Sequence, residues 1–356
     1  MEAPPRVPVR VIVGLTVASV AALVASIAWA ASRDFGLETG RRIDRPATAA
    51  VSSVTAKPRR AESFEPVDVA MWDESHGIVA GHLGICSPSA CKGVILRTDD
   101  GGRSWSTVYF GPQVFEVTTE GTSNAWALTP NSLLVSDNQG GTWTVLDRTG
   151  HDLSFPTAAN GWAVSDVIPP VTAHLAQPLI RTNDGGQTWR RVPGPCPSQA
   201  ATPSAVRFVD RRHGWVGCAG EPSAGRQLKA IYETLDGGAS WGLRAITSLN
   251  TGPAGAGVLP GDGYLAGMFF DSGGHGWMWL QRGCMVATVD GGATWVDTAP
   301  DLCTGDTYAV FGAWFLDAAR GFVLHRELGL ARPLQLLVSD DGGATWSRVH
   351  SWRQNH

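Results

Sequence analysis

An eight-residue turn recurs six times along the chain, and few architectures accommodate such a pattern. The copies are Thr98–Trp105 (TDDGGRSW), Ser136–Trp143 (SDNQGGTW), Thr182–Trp189 (TNDGGQTW), Thr234–Trp241 (TLDGGASW), Thr288–Trp295 (TVDGGATW) and Ser339–Trp346 (SDDGGATW). Their tryptophans fall 38 to 54 residues apart, the period of one β-propeller blade. A second element precedes each turn in phase. It is clearest in the segments Phe208–Trp215, Phe269–Trp277 and Phe315–Phe322, with weaker copies ending at Ile78, Trp126 and Trp162. Each unit therefore reads as a strand running into an Asp-containing turn, a Gly, a second strand opening on an apolar residue, a third strand, the recurrent turn, and a fourth strand. Four strands make a blade. The expected fold is all-β: a propeller of six four-stranded antiparallel blades over residues 64–350. A seventh blade would have to come from the residues before 64 or from the Gly- and Pro-rich stretch Leu249–Leu265.

Local chemistry accounts for every position of the turn. The acidic position (Asp100, Asn138, Asp184, Asp236, Asp290, Asp341) accepts N–H bonds from its own turn, the opening Ser or Thr does so more weakly, and glycine takes positive φ at little cost. The closing tryptophan (Trp105, Trp143, Trp189, Trp241, Trp295, Trp346) starts the next strand and brings a large ring to bury between blades. High Gly (43) and Trp (15) with only 17% charged residues suit tight turns joined by short buried strands.

These spacings resemble the Asp-box, or BNR repeat, of sialidases and sortilin-type receptors. The fuller pattern, F-x-D, then G-W, then R-T-x-D-G-G-x-T-W as at Arg97 and Arg181, more closely resembles the photosystem II stability and assembly factor propellers and their bacterial homologues. The resemblance implies blades with the boxes at their periphery and, for the second group, a non-catalytic factor that docks on membrane proteins outside the cytoplasm. Architecture is what the boxes themselves imply.

The N-terminus adds a compartment. After the short basic stretch 1–10, Val11–Ala31 runs 21 residues without a charge, about 30 Å as a helix and enough to span a bilayer. A cleaved signal peptide is the rival reading, with Ala28-Trp29-Ala30 as its small-x-small site. Either reading exports the chain beyond Ala31. Residues 32–63 read as a basic, Pro-containing tether and 351–356 as a tail. All six cysteines lie in the exported part, as an oxidising compartment allows. Of 15 possible connectivities, proximity favours Cys86 with Cys91, Cys196 with Cys218 and Cys284 with Cys303. Their spacing is not that of zinc ligands.

The net charge of −4 argues against a nucleic-acid partner. No Walker loop, dinucleotide fingerprint or G-x-S-x-G elbow is present, so no cofactor is expected. Sialidase-like catalysis would need clustered arginines, a Tyr nucleophile beside a Glu, and an Asp acid/base. Tyr109, Tyr232, Tyr264 and Tyr308 are the only tyrosines, and Glu233, next to Tyr232 on a strand, would point to the opposite face. Asp166, Glu221, Asp262 and Glu327 are the carboxylates considered for another glycosidase, each more simply a loop residue. His76, His213 and His275 share a turn position that blade geometry alone explains. The expected function is a membrane-tethered, protein-binding scaffold; the alternative is a glycan-active propeller, hydrolase or lectin.

Overall fold

A computed structural model describes residues 63–352 apart from 85–90, 149, 166–178, 197–201, 248–256, 299–301, 303–307 and 328–332. The segments 1–10, 11–31 and nearly all of the tether lie outside the described residues. Among those described, no helix is long and apolar enough to cross a membrane.

Each repeat pairs with itself into one sheet. Blade 1 is β1 (Phe64–Met71), β2 (Gly77–Leu83), β3 (Lys92–Thr98) and β4 (Ser106–Pro112). Blade 2 is β5 (Glu116–Glu120), β6 (Asn124–Leu128), β7 (Ser132–Ser136) and β8 (Thr144–Asp147). Blade 3 is β9 (Gly150–Ser154), β10 (Gly161–Ser165), β11 (Leu179–Thr182) and β12 (Arg190–Val192). Blade 4 is β13 (Thr202–Phe208), β14 (Gly214–Ala219), β15 (Lys229–Thr234) and β16 (Gly242–Thr247), with a short extra strand, β17 (Val258–Leu259). Blade 5 is β18 (Tyr264–Phe270), β19 (Gly276–Gln281), β20 (Met285–Thr288) and β21 (Val296–Thr298). Blade 6 is β22 (Tyr308–Phe315), β23 (Gly321–Glu327), β24 (Leu334–Ser339) and β25 (Ser347–Trp352). All pairings are antiparallel except β16 with β17.

The innermost strands β1, β5, β9, β13, β18 and β22 neighbour one another in that order, and β22 returns to β1. Six blades thus close the ring. The described part of Leu249–Leu265 supplies no seventh blade but the fifth strand of blade 4. It is pinned there by Lys229, whose Nζ donates to the carbonyls of Gly263 (2.8 Å), Gln227 (3.1 Å), Asp262 (3.3 Å) and Gly261 (3.4 Å). The last blade also runs past residue 350, since Trp352 pairs with Leu334. Phe64 and Trp105 of blade 1 contact Trp352 at 6.0 and 5.8 Å between ring centroids, and Arg326 pairs with Glu65.

Between blades the two sequence motifs meet. Trp162 stacks on Phe208 of the next blade (3.8 Å, 8°), and Phe208 meets the turn tryptophan of its own blade, Trp241, edge-on (6.2 Å, 79°). The sandwich recurs as Trp126–Phe155–Trp189, Trp215–Phe270–Trp295 and Trp277–Phe315–Trp346. The Gly of the second motif lies under the same Phe: a Cβ on Gly214, Gly276 or Gly321 would sit within 2.4 Å of the ring of Phe208, Phe270 or Phe315. Close approach of the ring, rather than a turn dihedral, explains that glycine.

In blade 5 the sequence alignment is one residue out. The turn after β18 has an extra glycine, so Phe270, not Phe269, takes the stacking position opposite Gly276. Phe269 is released to face the centre of the ring.

The recurrent turns close on themselves. In the first, Thr98 Oγ1 donates to Asp100 Oδ1 (2.8 Å), Ser104 N and Oγ donate to the same carboxylate (2.8 and 2.6 Å), and Trp105 Nε1 donates to the Gly102 carbonyl (2.9 Å). Asp184, Asp236, Asp290 and Asp341 repeat the carboxylate bonds, and Trp189, Trp295 and Trp346 repeat the indole bond. In the second turn Asn138 accepts from Ser136 and Thr142, and Gln139 takes the left-handed position (φ 57°) that glycine holds elsewhere.

Cys196 and Cys218 form a disulfide that staples blade 3 to blade 4. Cys91 and Cys284 are also disulfide-bonded, while Cys86 and Cys303 lie outside the described residues.

Candidate functional site

The six innermost strands can be superposed on the residue that faces the second-motif position: Met71, Thr119, Phe155, Phe208, Phe270 and Phe315. Three residues earlier stand Asp68, Glu116 and Asp152 in blades 1 to 3, then Ala205, Gly267 and Gly312 in blades 4 to 6. One residue earlier stand Ala70, Thr118 and Ser154, then Arg207, Phe269 and Trp314. The ring is therefore two unlike halves, one carrying carboxyl groups and the other a guanidinium between two aromatic rings. A β-bulge just before the first position in blades 1, 4, 5 and 6 sets the aim of these side chains.

They surround a central funnel of about 950 Å³. Arg207, Phe269 and Trp314 also line a smaller cavity of about 320 Å³ at the opposite end, so these three form the waist of the channel. At the wide mouth Phe115 and Phe311 remain 42% and 41% exposed.

On the acidic side Asp68 and Glu116 each clasp the next blade. Asp68 accepts from Val117 N and Val69 N, both at 2.9 Å, and Glu116 accepts from Asp152 N (2.9 Å) and Leu153 N. Burial pushes Asp68 up to about 8, aided by the charge of Glu116 and opposed by the two backbone N–H groups. Burial also raises Glu116, against its backbone bonds and the nearby His151 and Arg148. Asp152 lies well above the ordinary carboxylate range, through burial and then the charges of Glu116 and Asp68, and its backbone is left-handed (φ 53°).

The opposite side is cationic. Arg207 donates Nε–H to the Phe270 carbonyl (3.3 Å), and its guanidinium carbon lies 3.8 Å from the Phe269 ring centroid and 5.0 Å from that of Trp314. Burial pulls it down to about 9.

One closure contact is checked by a single methyl group. A Cβ on Gly312 would lie 2.6 Å from Asp68 Oδ1 and 3.1 Å from Asp68 Cα, so the backbone of blade 6 runs flush against β1. Gly312→Ala should cost about 1–3 kcal/mol through overpacking, read by urea unfolding. A loss below about 0.5 kcal/mol, within the range of a neutral surface change, would mean that this contact relaxes freely.

The residues singled out in the sequence lie elsewhere. All twelve turn positions are outside the funnel lining. Glu233 takes His213 Nε2 at 2.9 Å and lies 3.6 Å from Arg244, away from the funnel. Tyr109 packs on Trp143, Tyr264 Oη accepts from Gly225 N, and Asp262 pairs with Arg226 at the surface. Glu221 is an exposed loop residue; Asp166 and the side chains of Glu327 and Tyr308 lie outside the described residues. His76 and His275 bond Asp73 and Asp271 in their own turns. Among the described residues no group of His, Cys, Asp or Glu has the arrangement of a metal site. The sequence signal that marks the funnel is charge inside an innermost strand, at Asp68, Glu116 and Arg207.

Comparison with known proteins agrees on the repeat and the fold. The BNR/Asp-box repeat model matches residues 337–348; no curated protein matches the chain. Among solved structures, YCF48 from Cyanidioschyzon merolae is 18% identical over 82% of this chain and 86% of its own, with a TM-score of 0.46. YCF48 bound to D1 peptide is 14% identical over 78% of this chain and 100% of its own (TM-score 0.46). A protein of unknown function from Dyadobacter fermentans is 11% identical over 79% and 95% (TM-score 0.51).

Proposed function

We propose that the propeller is a binding module, held outside the cytoplasm by the apolar segment 11–31, that docks a protein segment on the wide mouth of its funnel and so assembles or stabilises a membrane complex. The observation that supports this reading is the pair of exposed rings, Phe115 and Phe311, on one rim of a large preformed funnel. Aromatic side chains at the edge of a preorganised cavity are the usual anchors of protein recognition, because they bury much area for little lost entropy. Interlocked blades provide the rigid frame.

The test is site-specific photocrosslinking of the full-length protein in its native membrane. A photoreactive residue at position 115 or 311 should give a discrete protein adduct, and one at Val289, 73% exposed on a peripheral turn, should not. Equal labelling from all three positions, or no adduct from the rim, would refute the reading.

Three carboxyl groups facing the funnel favour a second reading, a glycan-active propeller, since paired acids of unequal pKa are the machinery of glycoside hydrolysis. Glu116 weakens it: both of its oxygens are occupied by backbone N–H groups of blade 3. Turnover of a sialoside or other glycoside by the protein would establish this second reading over the first.

A further inference from the structure

We propose that the waist of the funnel is a carboxylate-binding site with the Arg207 guanidinium as its anchor. Arg207 carries an uncompensated charge. Five other arginines have an acid close by: Arg97 has Asp99, Arg226 has Asp262, Arg244 has Glu233, Arg320 has Asp340 and Arg326 has Glu65. Arg207 lies deep in the ring and has none among the described residues. Its only hydrogen bond to them uses Nε, which leaves both terminal amino groups at the cavity without an acceptor there. A desolvated cation is costly unless an anion accompanies it.

The surroundings are built to hold such an anion. Phe269 and Trp314 fix the guanidinium from two directions, so the fork is preorganised. Ala205 and Gly267 bring no long side chain to this half of the lining. Two further polar atoms on the lining have no partner among the described residues: the hydroxyl of Thr118, 2% exposed, and the indole N–H of Trp279, 8% exposed. Buried donors without acceptors are rare in folded proteins and call for an explanation.

The same features select the class of anion. One guanidinium balances one negative charge, and its planar fork matches the two oxygens of a carboxylate. Phosphate can also use the fork, but it has no apolar body to lie against the aromatic walls. The aromatic walls and the 950 Å³ volume suit an acid with an apolar or aromatic body. That carboxylate can belong to a free organic acid or to an Asp or Glu side chain of a docked segment; the chemistry at Arg207 is shared. The site is independent of the docking proposal above, because a free acid can fill it whether or not a protein binds at the rim.

The experiment is calorimetric titration of the full-length protein in detergent at pH 6.5. Benzoate probes a free acid, glutamate capped at both ends probes a polypeptide's side chain, and benzamide and inorganic phosphate are the comparisons. Benzoate or capped glutamate should bind at least tenfold more tightly than benzamide and phosphate, and the tighter of the two identifies the source. Arg207→Gln should weaken that binding at least tenfold. Arg207→Lys, which keeps the charge without the fork, and Thr118→Val, which keeps the shape without the hydroxyl, should each weaken it several-fold. Those two variants carry the test if Arg207→Gln does not fold. Benzamide or phosphate binding as tightly as the carboxylates, no binding of either carboxylate at millimolar concentration, or unchanged affinity in the folded variants would overturn the assignment.

Discussion

Replacing Trp215 by alanine should lower the melting temperature by about 10–15 °C. The indole is 0% exposed, stacks on Phe270 of the next blade at 4.2 Å and 6°, and donates Nε1–H to the Gly291 carbonyl at 3.0 Å. Truncation removes the burial and leaves a cavity between two blades, about 3–5 kcal/mol for such a change. The orphaned carbonyl adds about 1 kcal/mol. For a domain of this size each kcal/mol moves the midpoint by roughly 2–4 °C.

The partly buried turn tryptophans Trp105, Trp189 and Trp346 bond a carbonyl of their own turn, so their alanine variants should lose less. Trp295 is the exception among the turns: it is also fully buried, and Trp295→Ala should approach Trp215→Ala. Scanning calorimetry of these variants ranks them. A shift under about 3 °C for Trp215→Ala would mean that the inter-blade sandwich is not what holds the ring.

A second large effect concerns pH. Between about pH 4 and pH 8 the protein should become steadily less stable, and Asp68→Asn should remove a large part of that slope. The sign comes from the carboxyl's folded value of about 8 against an ordinary value of 3.8. Through this interval the folded chain holds a proton that the unfolded chain releases. The stabilisation is therefore complete below the ordinary value and lost as pH rises through about 8.

A difference of that size corresponds to about 6 kcal/mol. Because Asp68 keeps an edge on the funnel, on the order of 2–4 kcal/mol is the expected magnitude. Asparagine retains an acceptor for Val117 N–H and never ionises, so the variant should exceed the native protein in stability at pH 8.5 and match it near pH 4.5. Urea unfolding at both values checks this, and parallel slopes for the two proteins would contradict it.

The peripheral turns act in the opposite sense. Hydrogen bonds from Ser104 and Thr98 hold Asp100 near 2, and Asp236 and Asp341 are held near 2 by the same pattern. Their contribution is present above the ordinary carboxylate value and disappears as pH falls through about 2. Stability should therefore peak near pH 4, with the turns failing on the acid side and the funnel on the alkaline side.

How far the molecule was legible in advance varies from residue to residue. The turn from Thr98 to Trp105 could be read outright, because every partner of Asp100 lies within a few residues of it. Phe269 was misplaced by one position, because an inserted glycine in the following turn shifts the register without altering the local pattern. Arg207 carried a visible signal, a lone charge in an apolar innermost strand, yet its meaning depends on Phe269 and Trp314, which come from the next two blades. Tyr232 and Glu233 drew attention as neighbours in the chain, but Tyr232 packs against the core between blades 3 and 4 while Glu233 bonds His213.

The repeat, the number of blades and the chemistry of each turn could all be taken from the order of amino acids, since they rest on interactions that span a few residues and recur six times. Closure of the ring was needed to bring Asp68, Glu116 and Asp152 into one half of a funnel and to set Arg207 facing it from the other half with no acid paired to it among the described residues. Those residues are separated by as many as 139 positions. Their meeting depends on every blade adding its increment of rotation and on small residues such as Gly312 letting the last blade lie flush against the first. No short stretch of chain contains that information, because it arises from the packing of all six blades at once.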